Sequence, residues 1–224
     1  MTDCRECGEE LFFPAIVDSD DKVVSVDTTH AKCSNIGCHL SQEFIDTIKV
    51  LAINYYTMNI FYLHSDPKTC ASMHCDKHVV KMILETAQML STAHHELDGV
   101  NAVKDLYKST HKNHPSNVWI RNCVFNYQWA WLLLFNLLSE YSKRYGKVHA
   151  TQRLRDPLSQ FPKNICRDSI HTEPPQCMPD EYKVENDSIQ AYRNYYMGEK
   201  AYFAKWNYTA PPNWWQPKEI VNGR

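Results

Sequence analysis

The stretch His74 to His95, HCDKHVVKMILETAQMLSTAHH, decides the fold. At helical spacing His74, His78, Lys81, Glu85, Gln88, Thr92 and His95 follow one another at steps of four and three, so one helix carries them along one stripe. Val79, Val80, Met82, Ile83, Leu84, Ala87, Met89 and Leu90 fill its other faces, which predicts a helix inside the domain with polar groups looking into a cleft. An unpaired His, Lys or Glu in that position costs about as much free energy as a domain has to spare. The stripe is therefore paired, hydrated or liganded, and it is the first candidate for an active or binding surface.

Around this helix the sequence predicts more helix. Pro67 suits a first helical turn behind Ser65 or Asp66 as cap, and Asp98-Gly99 marks the stop. A second long helix is expected from Ser116 to Tyr145, closed by Gly146, and a third from Asp187 or Ser188 to Trp206. MNIFYL, Met58 to Leu63, is a short strand or a first buried segment. Between the second and third helices, the prolines from Pro157 to Pro179 predict an irregular wrap or lid. The tail APPNWWQP either packs back or exposes Trp214-Trp215 as a contact patch.

Towards the amino terminus, Cys4-x-x-Cys7 and Cys33-xxxx-Cys38 flank two expected strands, Glu10 to Val17 and Lys22 to Val26, joined by the acidic turn Asp18 to Asp21. Knuckle, hairpin, knuckle is the layout of a zinc ribbon, in which four thiolates hold one tetrahedral ion in place of a core too small to form alone. Cys4, Cys7, Cys33 and Cys38 are the expected ligands, with His30 and His39 close enough to substitute. Four thiolates leave no open position, so the zinc is structural and the ribbon a docking element. A helix from Gln42 to about Tyr55 then connects it to the main domain. The organisation expected is a zinc ribbon over 1–40, a helical connector over 41–57 and a helical main domain over 58–224. In fold class this is a mainly α protein with a small amino-terminal β zinc ribbon.

Charge is nearly balanced at −2 over 224 residues, so no global basic field announces nucleic acid. The start MTDCRECGEE is polar and acidic where a secretory leader needs a basic and then an apolar run, and Trp129 to Leu138 is too short to cross a bilayer. These features predict a cytoplasmic protein with no membrane partner, whose 9 cysteines are ligands or core thiols.

The chemistry expected of the stripe is acid–base work by His74, His78, Lys81 and Glu85: an imidazole pair one turn apart, an amine, and a carboxylate one turn further on. A substrate-side surface would come from the loop residues His111, Lys112 and His114, from Arg121 and Asn122, and from Arg193 and Lys200 as phosphate contacts. A metal shared by His74 and His78 is the rival chemistry, that of a helical metal-dependent hydrolase, although the glutamate of a paired-histidine protease motif is missing between them. The third possibility is a salt-bridged seam of His78, Lys81 and Glu85 that holds helices in register.

MNIFYL, HCDKHVVKMILETAQMLSTAHH, THKNHPSNVW, YSKRYGKVH, MPDEYK and AYRNYYMGEKA together resemble a family of uncharacterised tailed-bacteriophage proteins whose members typically begin at the equivalent of MNIF. The resemblance covers nearly all of 58–215. It implies that ribbon and connector are added to a complete domain, and that the protein works in the cytoplasm of an infected host cell. A more distant similarity links Ala71, His74, the helix behind them and Lys112-Asn113-His114-Pro115 to pyrimidine-dimer DNA glycosylases. Those enzymes use the amine of the mature amino terminus with a glutamate, whereas here the matching start lies behind the ribbon. The similarity thus implies Glu85 as the glutamate and Lys81 as the amine. The function expected is an enzyme acting on nucleic acid or a nucleotide, with base excision as one form. The alternative is a non-catalytic zinc protein that binds a host factor or nucleic acid through the ribbon and the Trp214-Trp215 tail.

Overall fold

The computed structural model describes the backbone of residues 11–12, 15–17, 23–26 and 32–33 and the whole of 58–216. The chain divides into two compact units, Met1–Met58 and Asn59–Arg224. In the first, strands β1 (Leu11–Phe12), β2 (Ala15–Val17), β3 (Val23–Val26) and β4 (Lys32–Cys33) make two antiparallel ladders, β2 with β3 and β1 with β4. Leu11 stands opposite Cys33 and Ala15 opposite Val26. The one strand expected over Glu10 to Val17 is thus shared between two partners, and Pro14, which has no N–H for a ladder, falls at the division. Cys4, Cys7, Cys38, His30, His39 and the connector 41–57 lie outside the described residues, as do all side chains of residues 1–57.

The second unit is mainly α. Its helices are α1 (Pro67–Met73), α2 (Asp76–Asp98), α3 (Pro115–Asn122), α4 (Val124–Tyr145) and α5 (Ser188–Glu199). Helix α2 packs along α4, α1 lies on α4, and α3 touches both α2 and α4; Val80 and Leu84, expected inside, instead share an exposed face of α2 with Lys77 and Lys81. The predicted stop signals operate. Gly99 (φ 54°) and Gly146 (φ 62°, ψ 22°) take positive-φ conformations that a side chain would strain. At the starts, Asp66 accepts the Thr69 N–H at 2.8 Å and Asp187 accepts the Gln190 N–H at 2.8 Å.

Three expected helices are corrected. The stripe helix is interrupted at His74 and Cys75, both extended (ψ 138° and 163°), so His74 sits at the end of α1 and does not share a helix with His78. The cause is tertiary: the buried Arg144 guanidinium takes the Ser72 carbonyl at 2.9 Å and the His74 carbonyl at 2.8 Å, satisfying groups that a helix end leaves open. On the other side of the break, Tyr196 Oη accepts the Cys75 N–H and the Lys205 carbonyl accepts the Asp76 N–H, both at 2.9 Å. The long helix expected from Ser116 to Tyr145 breaks at Cys123, where the Cys166 carbonyl captures the Val124 N–H at 2.9 Å. The last helix ends at Glu199, seven residues before Trp206.

Met58 to Leu63 forms neither helix nor strand. It is an irregular segment, with the Leu63 N–H turned back on the Phe61 carbonyl at 3.0 Å and with Ile60 and Leu63 wholly buried, each such side chain contributing about 1.5–3 kcal/mol. The tail packs back: Trp206 Nε1 donates to the Met73 carbonyl at 3.2 Å, Trp215 lies 4.7 Å from Trp206, and Trp214 is stacked under the Arg193 guanidinium at 5.4 Å. Two of the quoted motifs meet at Gly198. The Tyr182 ring of MPDEYK crosses it so closely that a Cβ would lie 2.5 Å from Tyr182 Cε1. Gly198→Ala is expected to swing that ring away, break its 3.1 Å bond to Glu199, and cost about 1 kcal/mol. In a Tyr182→Ala background the same change should be silent in a thermal melt, which closes the double-mutant cycle.

Candidate active site

Of the expected acid–base centre, the structure brings Lys81 and Glu85 together where solvent can reach them. Lys81 Nζ is 3.0 Å from Glu85 Oε1; the lysine side chain is 51% exposed and the glutamate side chain 11%. Glu85 Oε2 also accepts the backbone N–H of Asn59 at 3.4 Å. Burial pushes the Glu85 carboxyl above its usual range, and the Lys81 ammonium and the Asn59 N–H only partly offset that. Asn59 is itself fixed, its Nδ2 donating to the Cys177 carbonyl and its Oδ1 accepting from Ile60 N–H and Tyr192 O–H, each at 2.8 Å. This one polar residue in an apolar run was the sequence signal for a group that the stripe alone did not reveal.

His74 and His78 do not reach solvent, and both rings lie against Phe61. His78 Nδ1 pairs with Tyr196 Oη at 2.8 Å, its ring stacks on Phe61 at 4.4 Å, and Phe203 covers it at 5.1 Å. Because Tyr196 Oη already accepts the Cys75 N–H, its own O–H is left to donate to Nδ1. His74 Nδ1 donates to the Cys70 carbonyl at 2.8 Å, and its Nε2 has no hydrogen-bond partner among the described residues. Burial holds both imidazoles below their ordinary range, His74 at about 4. They are neutral at pH 7 and order the aromatic floor of the site.

A pH dependence of stability follows. In the unfolded chain these histidines titrate near 6.5; in the fold they resist protonation until the pH is much lower. Above 6.5 both states are neutral, and as pH falls below it only the unfolded state gains protons, so folding weakens. For His74 the loss between pH 6.5 and 4 is on the order of 3 kcal/mol. The melting temperature should fall steeply over that range, and His74→Gln should flatten the slope.

The far end of the stripe is a clamp. Thr92 Oγ1 donates to the Gln88 carbonyl at 2.8 Å and accepts the Thr110 N–H at 3.1 Å, and His95 Nε2 meets the Tyr107 carbonyl at 2.9 Å. The expectation that the whole stripe faces a cleft is therefore corrected: beyond Glu85 it ties down the loop that follows.

In that loop His111 and Lys112 are exposed, with His111 at φ 48°, a left-handed conformation uncommon for a residue with a side chain. His114 is buried and caps α3, its Nδ1 accepting the Ser116 N–H at 3.2 Å. Thr92 stands two turns beyond Glu85, about 10 Å along the axis. Arg121 Nη1 donates to the Lys112 carbonyl, and Asn122 is exposed at the end of α3. Arg193 spends Nε and Nη2 on the Leu63 carbonyl at 3.0 and 2.8 Å, so it braces the buried segment where a phosphate contact was expected.

Lys200 does join the site. Its Nζ lies 4.5 Å from the Tyr195 ring, and burial lowers its pKa, with the nearby Lys81 ammonium adding to that while Glu199 opposes it.

Among the described residues no three His, Cys, Asp or Glu side chains are grouped to hold a metal ion. Nor is any described helix long and apolar enough to cross a membrane. No protein-family model, no curated protein and no solved structure matches the chain.

Proposed function

We propose that the protein is a phage-type enzyme acting on nucleic acid or a nucleotide, with Glu85 as the group that exchanges protons and Lys81 as its amine partner. The observation that carries the reading is the 3.0 Å contact between a half-exposed amine and a carboxylate that burial has made less acidic. A carboxyl shifted towards neutrality is suited to proton transfer, and a purely structural ion pair gains nothing from such a shift. With amine and carboxylate adjacent, base excision is the form of the reaction that fits. Glu85 accepts the proton of the Lys81 ammonium, the freed Nζ lone pair attacks the sugar carbon, and the base leaves with the electrons of the broken glycosidic bond and is protonated by the Glu85 carboxyl, which returns to carboxylate.

An end-labelled DNA oligonucleotide holding one thymine dimer tests this. Base release or strand cleavage by the full chain, lost in Lys81→Ala, supports it; no product, or product unaffected by Lys81→Ala, overturns it.

The amino-terminal unit is proposed to hold one structural zinc through Cys4, Cys7, Cys33 and Cys38 and to dock a host protein or the substrate. The Cys spacing supports that reading. Elemental analysis should find one zinc per chain in the wild type and none in a Cys4→Ser, Cys7→Ser variant.

A further inference from the structure

The surface beside Lys81 and Glu85 carries an unexplained set of cations and rings. After α5 the chain runs over the start of α2, fixed there by the bond from Asp76 N–H to the Lys205 carbonyl at 2.9 Å. That path lays Phe203 on His78 at 5.1 Å, places Lys77 Nζ over the Phe203 ring at 5.4 Å, and sets Tyr202 against Phe203 at 4.9 Å. Tyr202 is 76% exposed, a large ring presented to solvent. Lys77 and Lys200 lie beside these rings, Lys200 close enough to feel both Tyr202 and Lys81 electrostatically, and Lys205 is exposed where its carbonyl meets the start of α2.

Two of the neighbouring carboxylates are ion-paired and the third accepts a hydrogen bond. Asp76 is held by Arg144 at 3.2 Å and by the Asn207 N–H at 2.7 Å, Glu199 accepts from Tyr182 at 3.1 Å, and Glu85 is paired with Lys81. Tyr182 is neutral, so Glu199 keeps its charge beside Lys200, and the three lysines Lys77, Lys200 and Lys205 outnumber that one carboxylate.

We propose that this surface binds single-stranded nucleic acid: Lys77, Lys200 and Lys205 take backbone phosphates, and Tyr202, backed by Phe203, stacks an unpaired base at the mouth of the Lys81–Glu85 site. Lysines interleaved with exposed rings suit a flexible strand, because every base has a face to stack while the phosphates carry the charge. A duplex hides its bases and could not use Tyr202. The inference rests on the proposed nucleic-acid function and names the form of substrate that reaches it.

Fluorescence anisotropy of labelled dT12 with the full chain, over a series of salt concentrations, is the test. Wild type should bind. Tyr202→Ala should weaken binding about tenfold, the size of one stacked base. Lys77→Ala with Lys205→Ala should make the log–log salt dependence shallower by about 1.4, since each lost phosphate contact removes roughly 0.7. Glu85→Gln should bind as wild type does, so loss of turnover and loss of this surface are read separately. The proposal is overturned if the chain does not bind dT12, if it binds a duplex of the same length as tightly, or if the Tyr202 and lysine variants bind like wild type.

Discussion

Replacing Arg144 with methionine lowers stability by about 3–5 kcal/mol, the largest loss expected from any single change in the helical unit. The Arg144 side chain is fully buried yet reaches two carboxylates, Asp76 at 3.2 Å and Glu140 at 3.1 Å. It also closes the Ser72 and His74 carbonyls at the end of α1. Methionine fills the volume but leaves four acceptors facing a group that donates nothing, and buried acceptors without donors are costly. Lysine keeps the charge but cannot span two carbonyls and two carboxylates with one ammonium, so Arg144→Lys should recover only a minor part. For a unit of this size a loss of 3 kcal/mol lowers the melting temperature by about 6–12 °C. Scanning calorimetry measures it. Since this guanidinium fixes the break between α1 and α2, the start of α2 and the strand-binding surface on it should be disturbed together.

Glu85→Gln is the matching prediction for activity: turnover falls by about 100- to 10,000-fold with the melting temperature unchanged or slightly raised. The asymmetry follows from the pKa. The fold disfavours the charged form of Glu85, so an isosteric neutral amide relieves burial of charge, and its oxygen still accepts the Asn59 N–H. Lys81, half exposed, loses one charged neighbour at small cost. The proton-accepting function has no substitute. In the wild type, the rate should fall as the pH drops through the raised pKa of Glu85, above the range of an ordinary carboxylate.

The sequence carried the local rules well. Caps and stops at Asp66, Gly99, Gly146 and Asp187 were legible because a side chain or a glycine acts on its own neighbours, whereas the burial of α2 was only partly so: Val79, Met82, Ile83, Ala87, Met89 and Leu90 are inside, but Val80 and Leu84 face solvent. The two helix breaks were illegible for the opposite reason. A two-residue interruption at His74-Cys75 barely disturbs the periodicity of the stripe, and the groups that cause it, Arg144, Tyr196 and Lys205, lie far along the chain.

The same limit applies to the site. Periodicity placed His78, Lys81 and Glu85 on one side of α2 but could not say that Phe61 and Phe203 bury the imidazole while the pair one turn on stays open. Arg193 read as a phosphate ligand because its partner, the Leu63 carbonyl, is a backbone group that no side-chain pattern reports. Lys77, Tyr202 and Lys205 gave no signal at all, since only the path of the chain after α5 makes them neighbours.

The most direct test of acid–base chemistry at Glu85 is to measure turnover and melting temperature on one preparation of Glu85→Gln beside wild type, with the dimer-containing oligonucleotide as substrate. A folded protein with wild-type melting temperature and at least a hundredfold less product is expected. Wild-type turnover in that variant, or a melting temperature many degrees lower, would show that the Lys81–Glu85 pair does no chemistry.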